Sequence, residues 1–176
     1  MRSIEPIAKV DLAFSLFCLQ HKFSYPISRL SKVISRTGDG HLYVLIGLIS
    51  FLFDGEKGAT FLTVGLLAFA IELPIYWTTK NVFKRRRPED FSELLTSFIT
   101  PSDRYSLPSG HTAAAFLMAS LIGHFYPEYG LFCLFWAFFI ATSRVLLGVH
   151  FLSDVLLGAV LGFGCTQLSL LVVLGG

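Results

Sequence analysis

The segment Ser143–Asp154, with the sequence SRVLLGVHFLSD, places three ionisable side chains in an otherwise apolar stretch. Charged groups are costly in apolar surroundings and usually serve a function there. If the chain is helical from His150 onward, Asp154 lies one turn away on the same face. Its carboxylate can then fix the tautomer of His150 and leave the other imidazole nitrogen as a nucleophile. Arg144 adds a guanidinium suited to a phosphate or a carboxylate.

The long polar stretch of residues 80–110 carries two further clusters. It begins with a basic run, KNVFKRRRP, and its end leads into the motif PSGH. In that motif Ser109 suits the N-cap of a helix, and Gly110 lets a ligand approach the backbone closely. The free N–H groups of the helix start would then form an anion site with His111 at its mouth.

Each cluster also has a purely structural interpretation. Arg144 can snorkel to the membrane edge, and the pair His150 and Asp154 can merely close a helix start. The basic run can contact lipid head groups, which is common beside membrane spans, and PSGH can simply begin a helix. The functional interpretation is favoured because the order of the apolar segments brings all three clusters to one membrane face.

Composition indicates an integral membrane protein. Of the 176 residues, 53% are hydrophobic, 18 are Phe and only 15% are charged. A soluble domain of this length would not carry so much apolar surface. The net charge of +2 is too small to indicate a nucleic-acid partner, and the apolar composition makes the bilayer the expected partner.

Apolar segments follow an amphipathic N-terminal region. Residues 1–40 predict interfacial or short re-entrant helices and end in a GDG turn. The five apolar segments are 41–53, 59–79, 111–126, 129–149 and 151–174. Residues 54–58 and 126–130 predict tight hairpins between them. We therefore expect one all-α domain over 1–176, a membrane-embedded bundle of five to six helices, with the long loop and the connection near Gly148 on the same face.

Small residues in the apolar segments predict packing features. Gly158 and Gly162 form a small-xxx-small pattern that favours close approach of two helices. The three cysteines are far apart and show no metal-binding or disulfide spacing; they are Cys18, Cys133 and Cys165. We expect them to behave as buried small hydrophobic residues.

The three clusters together resemble the type-2 phosphatidic acid phosphatase superfamily of membrane lipid phosphatases, which shares its core with bacterial acid phosphatases and vanadium haloperoxidases. The signature of that family is K-x6-R-P, then P-S-G-H, then S-R-x5-H-x3-D. The matching residues span positions 80–154 in the right order; they are Lys80 with Arg87-Pro88, Pro108 to His111, and Ser143-Arg144 with His150 and Asp154. The combination is highly specific, whereas PSGH alone is not. The resemblance implies a bundle that normally has six helices.

The resemblance also implies roles for these residues. His150 attacks phosphorus and forms a phosphohistidine, while Asp154 orients it. His111 protonates the leaving oxygen and then activates water. The implied phosphate-binding groups are Lys80, Arg87, Ser109, Gly110 and Arg144. No metal or other cofactor is required, and a metal site built from the two histidines and Asp154 is less favoured because the nearby cations would repel a divalent ion.

Other polar residues are candidates for supporting roles. Glu72 lies inside the second apolar segment and shares a helical face with Tyr76 and Lys80. It can support the cationic site through Lys80, or face a polar cavity. Asp103 and Arg104 lie in the loop near PSGH and are candidates for contact with the lipid head group.

The expected activity is metal-independent hydrolysis of a lipid phosphate or diphosphate in a bacterial inner membrane. The small size resembles the undecaprenyl diphosphate phosphatases of the family. Phosphatidylglycerophosphate and phosphatidic acid phosphatases are close alternatives. A lipid phosphotransferase with the same nucleophile is another alternative, and a membrane scaffold without enzymatic activity is a third, disfavoured by the complete signature.

The side of the membrane is predicted differently by two arguments. The membrane face that holds the loop of residues 80–110 is called the active face. Of the 14 Lys and Arg residues, only Lys57 lies outside both this face and the N-terminal region, so the positive-inside rule would put the active face in the cytoplasm. The family more often works on the outer side. Several of these cations are required by a phosphate site wherever it lies, and the run Lys84–Arg86 can be attracted by lipid phosphates. We therefore expect a periplasmic active site and a cytoplasmic C-terminus.

Overall fold

The computed structural model describes residues 5–20, 24–91, 95–101 and 103–175. These ranges contain seven α-helices and no β-strand; the helices are α1 Glu5–Leu19, α2 Ser24–Arg36, α3 His41–Phe53, α4 Gly55–Phe83, α5 Gly110–Phe125, α6 Pro127–Leu146 and α7 Leu152–Leu174. One turn of 3-10 helix, Pro88–Asp90, lies in the long connection between α4 and α5. The prediction of an all-α bundle is confirmed.

Two tight connections join neighbouring helices at the end of the bundle opposite the long loop. The hairpins predicted at 54–58 and 126–130 are shorter than expected, because Asp54 alone separates α3 from α4 and Tyr126 alone separates α5 from α6. The Tyr126 hydroxyl donates to the Asp54 carboxylate at 2.6 Å. It also lies 2.7 Å from the Ser50 hydroxyl, so the two connections are bonded to each other.

Three of the described helices are long and apolar enough to cross a membrane. They are α4 with the turn that follows it, α6 and α7. At about 1.5 Å per residue, each spans about 30 Å or more, which matches the hydrocarbon core of a bilayer. The segments α3 and α5 have only 13 and 16 residues, so each is about 20–24 Å long. The five apolar segments are all helical, but only three have the full length of a span.

Large apolar side chains point outward along α6 and α7. These exposed residues include Leu131, Phe132, Phe135, Phe138 and Phe139 on α6, and Leu156, Leu157, Val160, Phe163 and Leu171 on α7. A soluble protein rarely exposes so continuous an apolar surface. The surface is suited to lipid chains, which agrees with a protein embedded in a membrane.

The short helix α5 lies at the centre of the bundle and contacts α4, α6 and α7. Gly162 of α7 packs so closely that a Cβ there would lie 2.0 Å from the carbonyl oxygen of Ala113. At Gly158 a Cβ would lie 2.6 Å from the carbonyl oxygen of Ser109. The predicted close approach at these two glycines is confirmed, and it packs the start of α5 against the first half of α7.

The N-terminal helices pack on the same half of the bundle. Helix α2 packs against α6, and α1 contacts α6 and α7. The buried face of α2 consists of Ser28, Ser31 and Ser35, whereas apolar side chains such as Leu30 and Val33 are exposed. This arrangement is the reverse of a soluble amphipathic helix, so the outer face of α2 is suited to lipid.

We predict that Gly162→Ala destabilises the folded protein by about 1–3 kcal/mol, because the added methyl group overlaps the backbone of α5. Gly164→Ala is the matched control, since nothing lies within 4 Å of a Cβ at that position of the same helix. In the control, alanine should be neutral or stabilise the helix by about 0.5–1 kcal/mol. Melting temperatures in detergent measure both effects, and equal melting of the two variants would contradict the packing described.

Candidate active site

The three polar clusters meet at one end of the bundle. They line a cavity of about 900 Å³. The predicted site residues that line it are Glu72, Lys80, Arg87, Gly110, His111, Arg144 and His150. The loop that follows α4 closes this end, because Ser106 N–H donates to the carbonyl of Arg85 at 2.9 Å and Phe98 N–H donates to the carbonyl of Leu147 at 3.0 Å.

Lys80 and Arg87 are buried and share one carboxylate. The Lys80 Nζ donates to Oδ2 of Asp103 at 2.6 Å, and Nη2 of Arg87 donates to its Oδ1 at 2.5 Å. The Tyr76 hydroxyl, one helical turn before Lys80, donates to the same Oδ2 at 2.7 Å. A carboxylate that bridges two cations resembles a bound phosphoryl group, so Asp103 occupies the position where an anion is most strongly attracted.

The charge state of Asp103 follows from these contacts. Partial burial would raise its pKa, but the hydrogen bonds from Lys80 and Tyr76 and the charges of Lys80 and Arg87 hold the pKa below its ordinary value. The carboxylate therefore stays ionised at any pH near neutrality. Its side chain keeps 33% of its surface exposed, so it can move away from the two cations when another anion arrives.

Arg144 lines the same cavity and has fewer partners. Its Nη1 donates to the hydroxyl of Ser35, on α2, at 2.6 Å. Its Nε is buried and has no hydrogen-bond partner among the described residues. An unpartnered buried donor on a guanidinium is costly, which makes this nitrogen ready for a phosphoryl oxygen.

His150 lies in the connection between α6 and α7, not in a helix. The condition considered from the sequence, a helix that begins at His150, is not met, because Phe151 has an extended backbone and α7 begins at Leu152. The two side chains are nevertheless close, with Nδ1 of His150 3.7 Å from Oδ2 of Asp154. That separation exceeds a hydrogen bond, and Nδ1 has no other partner among the described residues.

Burial determines the protonation of His150. It lowers the pKa of the imidazole to about 4, although the nearby carboxylate of Asp154 acts in the opposite direction. The ring is therefore neutral at neutral pH, and only a neutral imidazole has a nitrogen lone pair for attack. Since Nδ1 faces Asp154, Nε2 is the nitrogen left for the cavity.

Asp154 is fully buried and its two oxygens are both occupied. Oδ2 accepts the N–H of Phe151 at 2.8 Å, which also closes the start of α7. Oδ1 accepts Nη1 of Arg85 at 2.6 Å. From the sequence, we expect lipid phosphates to attract Arg85. In the structure its guanidinium instead binds the carboxylate of Asp154, which faces His150. Nothing in the run of three consecutive arginines distinguishes Arg85 from its neighbours.

His111 has a carboxylate partner that the sequence did not indicate. Its Nε2 lies 2.8 Å from Oδ1 of Asp39, in the turn between α2 and α3. Because a carboxylate only accepts, Nε2 carries the proton. Asp39 therefore fixes the orientation of His111, and the GDG sequence that appeared to be only a chain break contributes to the site.

Ser109 is the N-cap residue of α5, but its side chain does not cap the helix. Its hydroxyl accepts a hydrogen bond from Thr112 at 2.9 Å, and its N–H donates to the carbonyl of Asp154 at 3.1 Å. Ser109 is fully buried and is not among the residues that line the cavity. Gly110 does line it, and a Cβ there would lie 2.9 Å from the ring of Tyr76.

The cavity continues from the polar end into an apolar groove between α3, α4 and α5. Its apolar lining includes Val44, Leu48, Leu62, Leu66, Phe69, Leu73 and Met118. Glu72 lies in this wall with 3% of its surface exposed, and the described contacts of Lys80 are to Asp103 and Tyr76 rather than to Glu72. The site therefore joins a cationic pocket to a surface suited to a lipid chain.

The described residues contain no group of three His, Cys, Asp or Glu side chains placed to hold a metal ion. The alternative set of His111, His150 and Asp154 does not form such a group. Cations surround it instead, with Arg85 bonded to Asp154 at 2.6 Å. That the activity needs no metal ion stays a prediction, and the activity in excess EDTA tests it.

Comparisons with known proteins agree with this architecture. A family model described as the PAP2 superfamily matches residues 58–175, a range that includes all three polar clusters. The chain is similar in structure to LpxE from Aquifex aeolicus, with a TM-score of 0.79 and 25% identity over 92% of this chain and 94% of that one. It is also similar to a transmembrane PAP2 type phosphatidylglycerolphosphate phosphatase from Bacillus subtilis, with a TM-score of 0.75 and 23% identity over 93% of this chain and 84% of that one.

We predict that Asp103→Asn strengthens inhibition by vanadate, a phosphate analogue, roughly threefold to tenfold. The amide keeps the shape of the side chain but removes the negative charge that competes for Lys80 and Arg87. Glu89→Gln is the control, because it removes an exposed carboxylate from the same connection. Weaker inhibition of the Asp103 variant would mean that Asp103 chiefly holds the two cations in place for the phosphoryl group.

Proposed function

Because the chain belongs to the PAP2 superfamily, we propose that it hydrolyses a lipid phosphate through a phosphohistidine on His150. Lipid phosphate hydrolysis is the activity of its family. The covalent intermediate on His150 is our additional proposal. One observation supports it most: buried cations and a buried neutral imidazole line the polar end of a cavity whose other end is an apolar groove. A molecule that fits both ends carries a phosphate on a lipid chain.

In the first step, Nε2 of His150 attacks phosphorus with its lone pair. The new P–N bond forms as the bond from phosphorus to the lipid oxygen breaks. His111 acts here in its doubly protonated form, which the Asp39 carboxylate favours although burial lowers the pKa of the ring. Its Nε2–H stays on Asp39, and its Nδ1 gives the second proton to the leaving oxygen. The imidazole of His150 gains positive charge, which Asp154 stabilises from 3.7 Å. Lys80, Arg87 and the free Nε of Arg144 stabilise the charge on the phosphoryl oxygens.

In the second step, water attacks the phosphorus of the phosphohistidine. His111, now without its extra proton, accepts a proton from the water, and the P–N bond breaks. Inorganic phosphate leaves and His150 returns to its neutral form. Asp39 keeps the imidazole of His111 oriented through both transfers, at 2.8 Å from Nε2. No step requires a metal ion.

The lipid we propose is undecaprenyl diphosphate, the substrate that the sequence favours. The groove beside the polar pocket is lined almost entirely by apolar residues, which suits the part of a polyprenyl chain closest to the phosphates. Lys80, Arg87 and Arg144 provide enough positive charge for a diphosphate. With this substrate, the first step releases undecaprenyl phosphate and leaves the terminal phosphoryl group on His150.

Phosphatidylglycerophosphate is a second candidate, favoured by Glu72. This buried carboxyl group lies in the groove wall, two helical turns before Lys80. It can accept a hydrogen bond from the glycerol hydroxyl of that lipid, a group that a polyprenyl chain lacks. The two candidates therefore differ in whether Glu72 contributes to substrate binding.

We predict that purified wild-type protein releases inorganic phosphate from undecaprenyl diphosphate faster than from phosphatidylglycerophosphate or phosphatidic acid. His150→Ala should lose activity by several orders of magnitude because the nucleophile is removed. Excess EDTA should leave the wild-type rate unchanged within about twofold, since no metal takes part. Loss of activity in EDTA that a divalent ion restores would contradict this mechanism, and transfer of phosphate only to an added alcohol would indicate a phosphotransferase.

We also propose that the site faces the periplasm of a bacterial inner membrane. The excess of positive charge on the active face would favour the cytoplasm if those charges were free. Several are held by the site itself: Lys80, Arg87 and Arg144 line the cavity, and Arg85 is bonded to Asp154. These residues are needed on whichever side the site lies, so they carry little information about orientation.

A cysteine-labelling experiment tests the orientation. In a variant whose three native cysteines are replaced by Ala, Arg104→Cys reports on the active face and Lys57→Cys on the opposite face, and both positions are exposed. We predict that a membrane-impermeant thiol reagent that reaches the periplasm of intact cells labels position 104 and not position 57. The reverse pattern would place the active site in the cytoplasm.

A further inference from the structure

An ion-pair network behind His150 joins the N-terminal helix to the site. The Arg85 guanidinium donates from Nη1 to Asp154 at 2.6 Å and from Nη2 to Oδ2 of Asp11, on α1, also at 2.6 Å. Oδ1 of Asp11 accepts the N–H of Ser153 at 3.0 Å, and Oδ2 accepts the Ser153 hydroxyl at 2.5 Å. The hydroxyl of Ser153 in turn accepts Nη1 of Arg85 at 2.6 Å.

Both carboxylates of the network are buried, and Arg85 is half-buried between them. Asp11 keeps 2% of its surface exposed and Asp154 keeps none. The side chain of Arg85 is 19% exposed, and its guanidinium lies over the ring of Phe151, 4.4 Å from the ring centroid. Because a guanidinium is planar, fixing one side of it on Asp11 also fixes the side that holds Asp154.

The charges of this network matter for the chemistry of His150. Two buried carboxylates and one guanidinium leave a net charge of about −1 behind the imidazole. Without the carboxylate of Asp11, Arg85 would neutralise Asp154. The imidazole becomes positive when it accepts a phosphoryl group, so a residual negative charge close to it lowers the energy of that state.

We propose that Asp11 and Arg85 are positioning residues for the phosphoryl transfer. Arg85 sets the position of the Asp154 carboxylate, and Asp11 both orients Arg85 and preserves the negative charge that Asp154 offers to His150. The N-terminal helix α1 is then part of the catalytic unit and not only a membrane-surface helix. This inference rests on the proposed role of His150 as the nucleophile.

The experiment measures the rate of formation of enzyme-bound phosphate in a single turnover, together with kcat and KM. Asp11→Asn keeps the shape of the side chain and removes its charge, and Lys9→Gln is the control on the same helix, with an exposed side chain. Arg85→Gln is paired with Arg86→Gln, whose native side chain is exposed. The substrate is undecaprenyl diphosphate in detergent. If the wild type hydrolyses phosphatidylglycerophosphate or phosphatidic acid faster, that lipid is used instead.

Asp11→Asn should slow phosphoenzyme formation and lower kcat by about tenfold, because Arg85 then neutralises Asp154, with KM unchanged within about twofold. Arg85→Gln should also slow this step with KM unchanged, because losing the guanidinium that positions the Asp154 carboxylate outweighs the gain in negative charge. The two controls should match the wild type. The double variant should be no slower than Arg85→Gln alone, since both residues act through one network. Ser153→Ala removes one hydrogen bond of Asp11 and should likewise lower kcat while KM stays unchanged. It replaces Asp11→Asn in the experiment if that variant does not fold.

The outcomes separate the inference from the proposed function. If the wild type hydrolyses lipid without forming enzyme-bound phosphate, the proposed nucleophile is wrong and the inference fails with it. If the wild type forms the intermediate and Asp11→Asn forms it equally fast, only the inference is wrong. A lower melting temperature with unchanged single-turnover rates would likewise overturn the inference, because Asp11 would then only hold α1 in place.

Discussion

The structure depends on the burial of positive charge at one end of an apolar helical bundle. Lys80, Arg87 and Arg144 each keep no more than 5% of their surface exposed. A buried cation without a partner costs several kcal/mol, so each requires an anion or a polar group from elsewhere in the chain. Asp103 serves the first two, whereas Arg144 has only the hydroxyl of Ser35 as a side-chain partner among the described residues. Arg144 therefore keeps a buried positive charge that no carboxylate pairs with among the described residues, which gives the pocket affinity for a phosphoryl group.

The same requirement explains the positions of the N-terminal helices. Helix α2 brings Ser35 to Arg144, the turn after it brings Asp39 to His111, and α1 brings Asp11 to Arg85. These helices have little apolar surface directed at the bundle; the buried face of α2 consists of serines. Polar contacts to the site thus help to hold the N-terminal region on the bundle, and the site depends on that region for three of its polar partners.

Much of the fold could be predicted from the sequence, because the five helices from α3 to α7 follow from continuous apolar segments. The polar clusters also predicted several residues that line the cavity, such as Lys80, Arg144 and His150, although Ser109 and Asp154 do not line it. Asp11 and Asp39 could not be predicted as site residues, because each reaches a partner more than 70 positions away through tertiary packing. Arg85 has identical neighbours in the sequence, and the irregular backbone before α7 could not be predicted, so whether His150 lies in the helix of Asp154 stayed open. Local patterns predict elements and motifs, whereas these partners depend on how the helices pack.

The covalent role of His150 is the central claim, and the chemical form of the intermediate tests it most directly. Enzyme mixed with labelled substrate can be denatured in alkali, which preserves phosphohistidine, then digested and analysed by mass spectrometry and phosphorus NMR. Because Nδ1 of His150 lies 3.7 Å from Oδ2 of Asp154, we predict that the phosphate is carried on Nε2 of His150 during turnover. Phosphate on another residue, or on Nδ1, or steady turnover without any phosphorylated enzyme would contradict it.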